Sequence, residues 1–268
     1  MLCRKFSSVK FAQGQGGNIS VKLDARRMAI KASGVRLSEV NAKSGFSLVD
    51  WKCISEVYSG KKATEKDADA AISASIIGGE RRPSMEAGFH SFLGTYVVHL
   101  HPVHINAIAC LKQGKQALRE AYGKKFIWCP YAQPGHRLAL AVKKAVGGRK
   151  ECVVMLQNHG IIVSASSAKR CISLADGAET NAEAYIAKKL GRKALFSSAR
   201  RANAAGKCLF PDAAVFAGAK GECARETMAA NSYLLAVSKL LGKPRYLTAA
   251  EIGSLRGMDA EKRMDSAR

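Results

Sequence analysis

Two short apolar segments that each lead into histidine constrain this chain more than any other feature. Tyr96–Leu100 (YVVHL) runs directly into His101, and Cys152–Leu156 (CVVML) passes through Gln157 and Asn158 to His159. Continuous apolar runs of this length read as strands buried on both faces. Such strands need helices over both sides of their sheet, which makes the chain an α/β protein.

The remaining pattern agrees. Ile19–Leu23 and Met28–Ala32 read as a hairpin, and GFSLVD, Phe126–Trp128 and IIVSA as further strands. Thr64–Ile77 reads as a helix with Asp67 and Asp69 early, where the helix dipole favours negative charge. Ser84–Leu93 reads as the next, with Ser84 as N-cap. Pro102 opens a helix to about Leu111, Pro134–Val146 another, and Ala168–Leu190 a long amphipathic one. After Gly191 a polar stretch (KALFSSARRANAAGK) leads to a compact apolar segment, LFPDAAVF. Helices are expected over Glu222–Leu241 and Thr248–Leu255, the second begun by a Thr248/Glu251 capping box. The expected organisation is an α/β core over residues 1–195 and a helical C-terminal extension over 196–268 packed on it. No internal repeat or low-complexity segment interrupts it.

The 268 residues suit one large domain or a domain with an appendage. Hydrophobic residues make up 47% but aromatics only 7%, so the core must lean on Ala, Val, Ile and Leu. No apolar run reaches the roughly 18 residues of a membrane span. Met1–Lys10 has no apolar stretch of the kind a secretory signal needs, and the first motif begins by Gly14, so a cytoplasmic protein is expected. The eight cysteines form no CxxC pair and read as reduced, buried thiols, with a cysteine-ligated metal the lesser reading. A net charge of +22 attracts anions. The basic residues are spread in short clusters (Lys61–Lys62, Arg81–Arg82, Lys124–Lys125, Arg200–Arg201), with no long basic run and no nucleic-acid motif. A nucleic-acid partner is therefore not expected, and a basic surface suits small phosphorylated substrates.

His99 and His101 share an HxH spacing at a strand end, and a strand of period two sends both rings to one side. They can reach one metal ion at about 2.0–2.1 Å. Alone, an HxH fits a pair of structural histidines better than a metal site. His159, ending the other apolar strand, would complete a facial three-histidine site with a position open for water or substrate. Glu86, in PSMEAGFH, reads either as a general acid or base beside such a metal or as a first-turn partner of the helix dipole. GQGGNIS lets backbone N–H groups approach an anion, with Asn18 adding an amide donor, and KASG (Lys31 to Gly34) is a similar turn. Each is weak alone. His104 reads as a group orienting a metal ligand or as a helix-surface residue, His90 as a structural hydrogen-bonding partner, and His136 as surface or a subunit contact.

GQGGNISVKL, IKASGVRLSE, RPSMEAGFH, VVHLHPVHINAIAC and LQNHGIIVSA, in that order, resemble the class II aldolase/adducin family over about residues 12 to 190. The tail, LFPDAAVF through PRYLTAAEIGSL, resembles the extension of its rhamnulose-phosphate-aldolase-like branch, where the aldolase domain is often fused to a short-chain dehydrogenase. The chain stops before any such partner and carries no dinucleotide fingerprint. The resemblance implies an α/β/α three-layer sandwich around a mixed β-sheet, assembled as a homotetramer. It implies a divalent metal, zinc expected, on His99, His101 and His159, and Glu86 as catalytic acid/base. It implies phosphate binding by Gly17, Asn18, Ser33, Gly34 and Ser84. Two departures stand out. Met85 occupies the place of a second serine in the fuculose-phosphate aldolases, and their tyrosine acid from a neighbouring subunit has no clear counterpart, although Tyr122 and Tyr131 are near. The implied activity is reversible aldol cleavage of a ketose 1-phosphate through a metal-stabilised enediolate. Alternatives with the same site are a pentulose-phosphate epimerase and a methylthioribulose-phosphate dehydratase. A non-enzymatic, adducin-like interaction protein is the alternative that the retained histidines and Glu86 argue against.

Overall fold

The computed structural model describes residues 1–59, 63–79, 81–197 and 207–265, with backbone alone for 259–265. The basic pairs Lys61–Lys62 and Arg200–Arg201, and most of the polar stretch after Gly191, lie outside the described residues. Among the described residues eight strands form one sheet: β1 (Asn18–Lys22), β2 (Arg27–Lys31), β3 (Phe46–Asp50), β4 (Ile76–Gly78), β5 (Tyr96–Leu100), β6 (Ile127–Cys129), β7 (Cys152–Leu156) and β8 (Gly160–Ala165). Their order is β4-β3-β2-β1-β5-β8-β7-β6. Only β6 and β7 run parallel, so the sheet is mixed. The helices are α1 (Leu2–Lys5), α2 (Trp51–Val57), α3 (Glu65–Ala74), α4 (Ala87–Phe92), α5 (Val103–Ala109), α6 (Gly114–Tyr122), α7 (His136–Val146), α8 (Ala168–Leu190), α9 (Pro211–Phe216), α10 (Glu222–Leu241) and α11 (Ala249–Asp265).

The side-chain alternation of the central strands creates the two outer layers. Val98, Leu100, Met155, Ile161 and Val163 enter a cluster with α5, α6, α8, α9 and α10. Val97, Val154, Leu156 and Ile162 enter another with α2, α3, α4 and α7. The result is a three-layer α/β/α arrangement. Segments after residue 207 are woven into the first cluster: Leu209, Phe210, Tyr233 and Leu234 are fully or almost fully buried beside α5 and α8. Each such side chain contributes about 1.5–3 kcal/mol by leaving water.

Local differences from the sequence reading have local causes. The helix expected through Ile77 ends at Ala74, and Ile76–Gly78 forms the edge strand β4 on β3. Two successive β-branched residues favour the pleated edge over another helical turn. The next helix starts at Ala87 rather than Ser84, because Pro83 bridges Ala32 and the Ser84 N–H donates to the Lys31 carbonyl (3.2 Å). Ser84 Oγ accepts the Glu86 N–H (3.3 Å) and so turns the chain into the helix. α2 was unanticipated; the Asp50 side chain caps it by accepting the Lys52 N–H (3.0 Å). The Thr248/Glu251 capping box forms as read, but α11 continues past Leu255.

Candidate metal centre

β1 and β5 pair with Asn18 opposite His99 and Ser20 opposite Val97, so Asn18, Ser20 and His99 point to the same side of the sheet, toward α4. His101 lies one residue beyond β5, its N–H donating to the Phe11 carbonyl (2.9 Å). His159 lies in the turn between β7 and β8. That turn needs Asn158 at φ 54°, a left-handed conformation that asparagine tolerates better than most residues. Gly160 follows, where any Cβ would drive into the Leu100 carbonyl of β5. The three rings therefore converge: centroids are 4.9 Å apart for His99–His101, 4.8 Å for His99–His159 and 5.1 Å for His101–His159. One nitrogen from each lies within 4.8 Å of the other two, and all three residues are buried.

The hydrogen bonds orient these rings. His99 Nδ1 donates to the Ile161 carbonyl (3.0 Å), leaving a lone pair on Nε2. His101 Nδ1 faces Asp212 Oδ2 at 3.0 Å, which turns its Nε2 toward His99. These two Nε2 atoms are 3.1 Å apart. At that separation the two nitrogens must share a proton or flank a cation, because two bare lone pairs would repel. Tetrahedral zinc would place such nitrogens roughly 3.3 Å apart. Glu86 approaches the same nitrogens, Oε2 at 3.3 Å from His99 Nε2 and Oε1 at 3.7 Å from His159 Nε2. Among the described residues Glu86 Oε1 is buried with no hydrogen-bond partner, as is His159 Nδ1. The donor set of three imidazoles and an adjoining carboxylate fits a divalent transition metal. Burial, reinforced by the neighbouring rings, holds His159 well below the usual histidine pKa, and burial lowers His99 despite Glu86. Neutral rings are the form in which imidazole binds metal. Burial also depresses His101, but Asp212 and Glu86 outweigh it and raise the value.

A buried chain of hydrogen bonds fixes Glu86. Ser20 Oγ donates to His90 Nδ1 (2.7 Å), His90 Nε2 donates to Asn18 Oδ1 (2.5 Å), and Asn18 Nδ2 donates to Glu86 Oε2 (2.7 Å). Asn18, read from the sequence as a phosphate donor, gives one amide hydrogen to Glu86. Gly17 packs against the His99 carbonyl. The other phosphate candidates form an adjoining turn: Ser33 and Gly34 are exposed, and Ser84 is drawn beside them where Ala32 bridges Pro83 and the Ser33 N–H donates to the Arg82 carbonyl (2.8 Å). Lys31 links this turn to the glycine loop, Nζ donating to the carbonyls of Val35 (2.6 Å) and Gln15 (3.1 Å). Burial pulls Lys31 down to about 8.

Two other histidines differ from their sequence reading. His104 is neither hydrogen-bonded to a ring of the metal cluster nor on the surface. It is 2% exposed, its Nδ1 donating to Glu179 (2.6 Å) and its Nε2 accepting the Phe196 N–H (3.3 Å). His136 is buried against Tyr58, its Nε2 donating to the Ala63 carbonyl (3.0 Å). Asp212 is the residue that sequence reasoning missed at the centre. LFPDAAVF shows only an apolar segment, and nothing local in it marks the aspartate.

The model of the class II aldolase and adducin N-terminal domain matches residues 1–186. The uncharacterized oxidoreductase YuxG of Bacillus subtilis is 28% identical over 197 residues, which is 69% of this chain but only 28% of that protein. The chain thus spans less than a third of that relative's length. The 3-oxo-tetronate 4-phosphate decarboxylase of Haemophilus influenzae is 26% identical over 184 residues, 62% of this chain and 74% of the relative. Among solved structures, the N-terminal class II aldolase domain of a conserved protein from Thermoplasma acidophilum superposes with a TM-score of 0.62 at 23% identity, covering 69% of this chain and 90% of that one. A sugar-phosphate aldolase from Thermotoga maritima gives 0.52 at 18% identity, covering 71% and 96%. At these identities the structural likeness speaks to the fold.

Proposed function

We propose, from the premise that this chain belongs to the class II aldolase and adducin family, that it is a metal-dependent lyase cleaving a carbon–carbon bond in a small phosphorylated sugar. The carrying observation is the convergence of three buried imidazoles, with the Nε2 atoms of His99 and His101 3.1 Å apart, His159 beside them and, among the described residues, an unpartnered Glu86 oxygen against the group. The Nε2 atoms of His99, His101 and His159 would hold the ion, with zinc our choice. The ion supplies Lewis-acid stabilisation of negative charge developing on substrate oxygens. Glu86 moves the proton at the carbon that gains or loses its bond, and Asn18 and His90 hold its carboxylate in place. The Ser33–Gly34 turn and Ser84 bind the phosphate, with the Lys31 ammonium behind them.

The reaction we favour is reversible aldol cleavage of a ketose 1-phosphate in a homotetramer. Decarboxylation of a phosphorylated sugar acid is a second reading, favoured by the Haemophilus influenzae relative. Both leave an electron pair next to a substrate carbonyl, and product identification separates them. The first test is elemental analysis of purified wild type beside His159→Ala. The expected result is near one equivalent of metal per chain in wild type and loss of it in the variant. Absence of metal from wild type after zinc is supplied would replace this reading with a non-enzymatic, adducin-like one.

A further inference from the structure

We propose that Asp212, delivered from the C-terminal segment, is a positioning residue of the metal centre that holds His101 with Nε2 toward the ion. This rests on the three-histidine reading above. Asp212 is not one of the clustered ligand atoms, which come from His99, His101 and His159. It stands behind His101, Oδ2 3.0 Å from Nδ1. Among the described residues neither atom has a hydrogen bond to any other group. A carboxylate there keeps the ring proton on Nδ1, leaves the lone pair on Nε2, and stops the ring from turning over.

The surrounding structure is built to deliver this carboxylate. The Leu209 carbonyl accepts from Asn158 Nδ2 (2.7 Å) and Cys110 Sγ (3.4 Å), and the Leu209 N–H donates to Asn231 Oδ1 (3.0 Å). Asn158 Nδ2 also donates to the Arg245 carbonyl (2.8 Å), and the Leu247 N–H donates to the Cys208 carbonyl (3.0 Å). Phe210 is fully buried, its ring 6.2 Å from that of His101, and Pro211 opens α9. The backbone before Asp212 is thereby pinned to the residue that precedes His159. Opposite it, Gly16 leaves the necessary space, since a Cβ there would overlap Asp212 Oδ2 and lie 2.9 Å from His101 Nδ1. One glycine of the GQGG loop therefore serves the histidine–carboxylate pair and not an anion.

The test compares zinc affinity of wild type, Asp212→Asn and Asp212→Glu by competition with a chromophoric chelator. The thermal midpoint of each metal-free protein is recorded alongside. Asp212→Asn is expected to bind zinc about 10–100-fold more weakly, with little change in metal-free midpoint. Asp212→Glu is expected to recover part of the loss. The visible bands of the cobalt(II)-loaded proteins should shift between wild type and Asp212→Asn, which a merely structural aspartate would not cause. Wild-type affinity and an unchanged cobalt spectrum in Asp212→Asn overturn the inference while leaving the three-histidine reading intact. Wild type that binds no zinc overturns both.

Discussion

Two buried histidine–carboxylate pairs lie three residues apart on this chain. His101 faces Asp212 through Nδ1 at 3.0 Å, and His104 donates through Nδ1 to Glu179 at 2.6 Å. Both rings are almost completely buried. The difference is what the other nitrogen does. His104 Nε2 accepts the Phe196 N–H, closing its hydrogen-bonding capacity within the protein. His101 Nε2 points instead at another ring nitrogen of the cluster, His99 Nε2 at 3.1 Å, and not at a backbone group. Glu179 is similarly complete, accepting also from the backbone N–H groups of His104 (3.3 Å) and Ile105 (3.2 Å) at the start of α5. A histidine–carboxylate pair is thus a joint when both ends are closed and a support for chemistry when one end is left open.

The sharpest way to break this comparison is through the carboxylate on the open side. Glu86→Gln keeps the shape and the Asn18 contact but removes the proton-carrying group. Turnover of a cleavable sugar phosphate is expected to fall by about 10²–10⁴-fold, with metal content unchanged. Retained turnover would remove Glu86 from proton transfer. The closed pair should respond in the opposite currency. Glu179→Ala strips the partner from three donors and is expected to destabilise the metal-free fold by about 3–5 kcal/mol in urea denaturation. Metal stoichiometry of the folded fraction should stay at the wild-type value. If metal is lost and stability kept, the two pairs have been assigned the wrong way round.

Much of this was legible from the sequence because it rests on local rules. The strands before His99 and His159 were readable from uninterrupted apolar runs, the long helix Ala168–Leu190 from its periodicity, and the last helix from Thr248 and Glu251. The convergence of His99, His101 and His159 follows once those strands are placed in one sheet. Ile76–Ile77 was not readable, because two β-branched residues after a helix fit another turn or an edge strand until β3 is there to pair. His101 and His104 could not be separated either, since their carboxylates, Asp212 and Glu179, arrive from distant segments. Position 212 was hidden most deeply. The aspartate sits in an apolar stretch, and what makes it functional is the anchoring of Leu209 by Asn158 and Asn231, a tertiary fact with no local signature.

Gly16 offers the mildest and most selective probe of the open pair. Its backbone is not among the left-handed glycines, so alanine is conformationally admissible there. The new methyl would occupy the space between Asp212 Oδ2 and His101 Nδ1. The side chain of Asp212 is 22% exposed, but His101 is confined and the methyl would also lie 2.9 Å from His101 Nδ1 and 3.0 Å from the Gln13 carbonyl. Overpacking of this kind costs about 1–3 kcal/mol, and movement of Asp212 relieves only one of the three contacts. Gly16→Ala should therefore lower stability by about 1–3 kcal/mol. It should weaken zinc binding by less than Asp212→Asn does, because the carboxylate is displaced and not deleted. Chelator competition and urea denaturation on the same preparation check both. A stability loss with no change in zinc affinity would mean that the loop only packs against the pair, and that the position of Asp212 does not govern how His101 presents its nitrogen.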